Sequence, residues 1–86
     1  MQGYAEGKWT KNDDLYWQTL QASVEAIDVR LQRGTKGKKG LLQDTAQILI
    51  KKYGWKEWAG DTYRISRYLK RAKDRWSIDP MKYIMR

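Results

Sequence analysis

The 86-residue sequence contains no cysteine and no histidine. Their absence excludes disulfides, thiolate nucleophiles, imidazole bases and the usual zinc ligands. Chemistry carried by Asp, Glu, Lys or Tyr remains open, but the commonest acid–base and nucleophilic groups are missing. We therefore expect a protein that is not an enzyme and has neither a cofactor, a metal nor a small-molecule substrate. The lack of cysteine also fits a reducing compartment.

The sequence also lacks a long apolar run and has no Phe and a single Pro. Its longest apolar cluster, residues 46–50, is far shorter than the ~18 residues that span a bilayer, and no signal-peptide core follows Met1. We expect a single small domain with no membrane contact. The large rings are five Trp and six Tyr, whose polar N–H and O–H groups suit half-buried positions or a surface that meets another molecule.

Acidic residues are scarce in the second half of the chain. Residues 1–33 carry four Lys or Arg against five Asp or Glu, whereas residues 34–86 carry fourteen against five, a net charge of +9. This asymmetry indicates a polyanionic partner that docks on the second half. The alternative is a protein whose basic charge serves solubility alone.

The first helix is predicted near residues 10–33, after a flexible lead-in at residues 1–8. Thr10 and Asp13 can form a capping box, Trp9 before them can fold back as a hydrophobic staple, and Gly34 ends the helix. An apolar stripe at spacings of three and four residues predicts the buried side: Trp17, Leu20, Val24, Ile27 and Leu31.

Two further helices are predicted, at residues 41–53 and 61–76. The Gly- and Lys-rich loop at 35–40 either solubilises the protein or contacts phosphates. Gly54 ends the second helix and Asp61 caps the third. Trp55 and Trp58 lie between these helices, where they either pack under the turn or are exposed to a partner.

The third helix is predicted to have an apolar side and a basic side. Ile65, Leu69 and Trp76 share one face, and at about 100° per residue Arg67 points almost directly away from it. The other residues of the basic side fall around Arg67 or on its flank: Tyr63, Arg64, Lys70, Arg71, Asp74 and Arg75.

Because each helix must bury its apolar stripe against the others, the sequence predicts an all-α, three-helix bundle at residues 9–76. Its expected core is Trp9, Trp17, Leu20, Val24, Ile27, Leu42, Ala46, Leu49, Ile65, Leu69 and Trp76. Asp79 and Pro80 form a further helix-start signal, so residues 77–86 are expected to make a short fourth helix or an extension.

The order of these segments resembles the Myb/SANT-like DNA-binding domains, which have a helix-turn-helix fold. Lys8-Trp9-Thr10 followed by Asp13-Asp14 is similar to the opening signature of that family, closest to its trihelix and transposon-derived forms. The resemblance covers roughly Lys8 to Trp76, through the Gly/Lys loop, a second helix ending in Gly54 and a third helix of bulky residues among Lys and Arg. The chain departs from the family at three places: Leu41-Leu42, Tyr68 and Ala72.

The resemblance implies that the third helix enters the major groove of double-stranded DNA and that the loops touch its backbone. Carried over by position, the groove-facing residues are Arg64, Arg67, Lys70 and Arg71. Tyr63 and Arg75 join this DNA-binding set from the same side of the helix, and Lys36, Lys38 and Lys39 are expected on phosphates. Such a module is expected in the nucleus of a eukaryote, or otherwise in the cytoplasm or nucleoid, as a subunit of a chromatin, transcription or DNA-modifying complex.

Two other functions remain open at this point. The chain is a protein-interaction domain if Trp55 and Trp58 anchor a partner. SANT-type domains also bind histone tails, but a charge of +8 favours an acidic protein instead. The chain binds RNA or single-stranded DNA if Trp55, Trp58 and Tyr63 serve as stacking platforms.

Overall fold

A computed structural model describes residues 9–35, 37, 39–56, 61–80 and 82. Three α-helices make up this part of the chain: α1 (Lys11–Gln32), α2 (Leu41–Tyr53) and α3 (Thr62–Trp76). Each helix packs against the other two, and the fold is an all-α three-helix bundle. The three predicted helices are confirmed, and their bounds differ from the predicted ones by at most one residue.

The helix ends follow local signals in the sequence. Thr10 Oγ1 accepts a hydrogen bond from the Asp13 backbone N–H, and Asp13 Oδ2 accepts one from the Thr10 N–H, so the capping box is formed. The Asp61 side chain caps α3 by accepting from the Arg64 backbone N–H at 3.2 Å. Gly54 ends α2 with a φ of 70°, a left-handed conformation that glycine adopts without a Cβ clash.

The core lies where the three helices meet. Most of the predicted core residues are buried: Leu20, Ile27, Ala46, Leu49, Ile65, Leu69 and Trp76. Leu42 is partly buried and packs against the largest cluster of this core. The predicted core residues of α2 and α3 therefore lie on the sides of these helices that face the bundle.

The side of α1 that faces α2 and α3 carries four small residues beside Leu20 and Ile27. Thr19, Ala22, Ser23 and Ala26 are all at most 2% exposed. The two hydroxyls are satisfied within the helix, since Thr19 Oγ1 donates to the Leu15 carbonyl at 2.7 Å and Ser23 Oγ donates to the preceding turn. Small side chains allow the other helices to approach α1 closely.

The apolar stripe of α1 is therefore only partly buried, since Leu20 and Ile27 lie in the core and its other members are exposed. The prediction that Trp9, Trp17 and Val24 are core residues is wrong, because these residues are 46%, 38% and 41% exposed. Leu31, which was also predicted on the buried side of this helix, is 49% exposed. Trp9 does fold back as expected: its ring stacks on Trp76 at a centroid distance of 5.4 Å, and its indole N–H donates to Asp14. The rings of Trp9, Trp17 and Trp76 form an aromatic cluster in which Trp76 is buried and the other two are exposed.

A turn begins at the predicted start signal after α3. Pro80 is buried, and the Lys82 N–H donates to the Asp79 carbonyl at 3.2 Å. Residues 83–86 and the predicted lead-in at residues 1–8 lie outside the described residues, so the short fourth helix stays a prediction.

Candidate nucleic-acid interface

The third helix divides into a buried side and a charged side. Ile65, Leu69, Ala72 and Trp76 are between 0% and 8% exposed. The opposite side, here called the outer face of α3, consists of five exposed residues: Tyr63, Arg67, Lys70, Arg71 and Asp74. The prediction of an apolar and a basic side is confirmed by this distribution.

Three cations of the outer face have no acidic partner among the described residues. The ion pairs in this part of the chain involve other cations, and none includes Arg67, Lys70 or Arg71. Their spacing of three and four residues places them on adjacent turns, where like charges repel by ~0.2–0.5 kcal/mol per pair. A face that exposes three such cations against one carboxylate, that of Asp74, is suited to a polyanion.

Tyr63 and Arg67 form a pair one helical turn apart. The guanidinium carbon of Arg67 lies 5.7 Å from the centroid of the Tyr63 ring, in a cation–π arrangement. Tyr63 is 70% exposed, so this contact leaves most of its ring accessible. The pair gives Arg67 a preferred orientation on the surface.

Two predicted DNA-binding arginines have partners within the domain. Arg75 Nε lies 2.8 Å from Oδ1 of the buried Asp13, which ties α3 to the beginning of α1. Arg64 Nε lies 4.0 Å from Asp61 Oδ2, and its side chain is 41% exposed. The structure thus assigns Arg75 a structural ion pair, whereas Arg64 remains accessible at the flank of the outer face.

The loop between α1 and α2 is organised around Arg30. This arginine is 8% exposed, and its Nη1 donates to Asp44 Oδ2 at 2.8 Å. Its Nη2 donates to the carbonyl oxygens of Lys39 at 2.6 Å and Gly37 at 3.4 Å. One buried guanidinium therefore connects α1, the loop and the first turn of α2.

The predicted phosphate-contacting lysines belong to this loop. Lys39 is exposed while its carbonyl is held by Arg30. It lies at the far end of α1, on a different element from the outer face of α3. Lys36 and Lys38 lie outside the described residues, and so does Trp58.

Trp55, the other candidate partner anchor, is a core residue. It is 7% exposed, its Nε1 donates to Gln18 Oε1 at 2.7 Å, and its ring packs edge-on against Tyr68 at 6.1 Å. Little of the ring is left for a protein or a nucleic-acid base, so the burial supports the interpretation that this residue packs under the turn.

A shallow groove on another side of the bundle was missed by the sequence interpretation. Val24, Leu31, Tyr53 and Ile78 are each 36–49% exposed and together line a groove of about 470 Å³. Glu25 and Asp28 stand at its rim. Val24 and Leu31 of the apolar stripe of α1 were a sequence signal for this groove. Tyr53 and Ile78 are distant in sequence, and only the tertiary fold brings them beside that stripe.

Within the part of the chain that the structure describes, no group of acidic side chains is arranged to hold a metal ion. None of the helices there combines the length and apolarity needed to span a membrane. Comparison of the chain with protein-family models, curated proteins and solved structures found no match. The resemblance to Myb/SANT-like domains therefore stays a prediction.

Proposed function

We propose that the protein is a double-stranded DNA-binding module that uses the outer face of α3. The observation that carries the proposal is that Arg67, Lys70 and Arg71 are exposed directly opposite a buried apolar stripe and form no ion pair with any described residue. A rigid helix with this division can enter the major groove while its other side stays packed in the bundle. The net charge of +9 in residues 34–86 favours the same partner.

Lys39 and Arg64 are assigned supporting roles in this proposal. Both are accessible cations near elements that would approach the DNA backbone, and phosphate contacts fix register without reading sequence. We extend the same role to Lys36 and Lys38 on the basis of the sequence. Arg75 is left out of the contacting set because its Nε is engaged with Asp13.

Salt dependence of binding to a labelled DNA duplex tests the proposal. Each neutralised phosphate contributes about −0.9 to the slope of log affinity against log salt. The three outer-face cations alone therefore predict a slope of roughly −3. We expect duplex DNA to bind more tightly than single-stranded DNA or RNA of the same sequence, because Trp55, a stacking candidate, is buried.

The double variant Arg67→Ala/Arg71→Ala should reduce this slope by about two and weaken binding to all duplexes. Lys11→Ala/Lys51→Ala is the matched control, since it removes the same charge from exposed positions on α1 and α2. The control should bind nearly as tightly as the parent. Equal losses in both double variants would mean that net charge alone attracts DNA, and unchanged binding in Arg67→Ala/Arg71→Ala would exclude the outer face as the interface.

The groove lined by Val24, Leu31, Tyr53 and Ile78 favours protein binding as a second candidate function. Exposed apolar side chains that gather in one groove are typical of protein-interaction surfaces. Val24→Ser should leave duplex binding unchanged, because Val24 lies on α1 and away from the outer face of α3. A loss of DNA affinity in Val24→Ser would indicate that the two surfaces are not independent.

A further inference from the structure

The cation–π contact between Tyr63 and Arg67 gives the outer face of α3 more order than charge attraction requires. Lys70 can serve as a point charge for phosphate, and its ammonium has no plane to orient. Arg71 can also contact phosphate, and its guanidinium plane is held by no ring in the described residues. Arg67, by contrast, lies with its Cζ 5.7 Å from the Tyr63 ring centroid. Tyr63 is also the most exposed of the large hydrophobic side chains in the described residues, at 70%.

An oriented guanidinium suits a planar acceptor. The aromatic face restrains the plane of Arg67 while the N–H donors at its edge remain available. Restraint before binding lowers the side-chain entropy that is lost on binding. In the major groove, the planar pair of acceptors that matches the fork of an arginine is O6 and N7 of guanine.

The exposed edge of Tyr63 suits a different group on the same groove floor. The apolar group that the major groove offers is the C5-methyl of thymine. Four residues of α-helix rise about 6 Å, and base pairs are stacked about 3.4 Å apart. Side chains one helical turn apart therefore reach base pairs that are one or two steps apart.

Resting on the DNA-binding function proposed above, we infer that Tyr63 and Arg67 form the sequence-reading pair of the domain. Arg67 donates to guanine O6 and N7, and Tyr63 contacts the methyl group of a thymine one or two base pairs away. The remaining cations bind phosphate and set the register. The preferred duplexes then contain guanine and thymine at this separation.

Selection from a randomised duplex pool, followed by single-atom changes in the selected duplex, tests the pair. We expect enrichment of guanine with thymine one or two base pairs away. Replacing that guanine with 7-deazaguanine removes the N7 acceptor and should weaken binding about tenfold. Replacing that thymine with uracil removes only the methyl group and should weaken binding about three- to fourfold.

Variants of the two residues separate their roles. Arg67→Ala removes the donors and should lose the 7-deazaguanine effect while retaining the uracil effect. Tyr63→Ala should lose the uracil effect and also reduce the 7-deazaguanine effect, because Arg67 is no longer oriented. Lys70→Ala is the control: it should weaken all duplexes alike and leave both single-atom effects unchanged.

Failure of this inference can be distinguished from failure of the proposed function. If binding to duplex DNA depends steeply on salt but the selected duplexes are not enriched in guanine and thymine, sequence reading by Tyr63 and Arg67 is overturned and the DNA-binding function is upheld. Single-atom effects that persist in both Arg67→Ala and Tyr63→Ala would likewise assign sequence reading to other residues. Absence of duplex binding at low salt would overturn both.

Discussion

Leu69 is the residue whose environment gives the sharpest expectation for stability. It is 7% exposed and belongs to the core cluster of Ala46, Leu49, Trp55 and Ile65. Leu69→Ala would leave a cavity between all three helices, so we expect a loss of ~2–5 kcal/mol in the free energy of unfolding. Urea unfolding of Leu69→Ala and of the parent measures this loss. Lys70→Ala, at an exposed position of the same helix, is the control. Equal midpoints for Leu69→Ala and the parent would contradict the core assignment.

The burial of individual residues could be predicted where a single apolar side of a helix packs against the rest of the bundle. In α3 the stripe of Ile65, Leu69 and Trp76 is buried because a single side of the helix meets the rest of the bundle. In α1 the buried centre is Ala22 and its small neighbours, and small residues contribute little to an apolar pattern. The exposure of Trp17 therefore could not be derived from periodicity.

Individual helices were predictable to within a residue because their ends depend on local chemistry. The capping box of Thr10 and Asp13 and the left-handed Gly54 involve residues close in sequence. Contacts between elements involve residues distant in sequence, and no pattern predicted them. The Arg30–Asp44 pair spans fourteen positions and the Trp55–Gln18 hydrogen bond spans thirty-seven.

The ion pair between α1 and α2 predicts a pH dependence with a definite sign. Lys52 Nζ lies 2.7 Å from Glu25 Oε1, and this hydrogen bond and the Glu25 charge raise the pKa of Lys52 above its ordinary value of 10.5. A raised pKa stabilises the fold fully below the unfolded-state value, and the contribution is lost as pH rises through the folded-state value. The loss is therefore confined to strongly alkaline solution.

Lys52→Met should accordingly be less stable than the parent by the same small amount at pH 7 and pH 9. The difference should shrink once the pH rises above about 10.5. Lys51→Met is the matched control, since Lys51 is an exposed neighbour without an ion pair among the described residues. Chemical unfolding across this pH series measures both variants, and a deficit of Lys52→Met that persists at high pH would show that its cause is packing.

The molecule as a whole carries its charge unevenly. The formal net charge is +8. Arg67, Lys70 and Arg71 are concentrated on one helix face whose single acid is Asp74, and they form no ion pair among the described residues. Such a face attracts polyanions and also repels itself in the absence of a partner. The proposed interface should therefore lower the stability of the free protein.

Salt should consequently stabilise the free protein through screening. The screening length falls from about 30 Å at about 0.01 M salt to about 3 Å at about 1 M. Arg67→Ala/Arg71→Ala should melt at a higher temperature than the parent at low salt, and the difference should disappear at high salt. Thermal unfolding at both concentrations tests this, with Lys11→Ala as the control. A less stable double variant at low salt would indicate that these arginines support the fold.

The buried guanidinium of Arg30 has a consequence for how the chain can change in length. Surface loops ordinarily accept extra residues, since each doubling of loop length costs only about 0.6 kcal/mol. Here one side chain holds the carbonyls of Gly37 and Lys39 together with Asp44, and an inserted residue would separate those carbonyls. In a library of loop variants sorted for folding, we expect the lysines to vary freely while the number of residues from Gly34 to Gly40 stays constant.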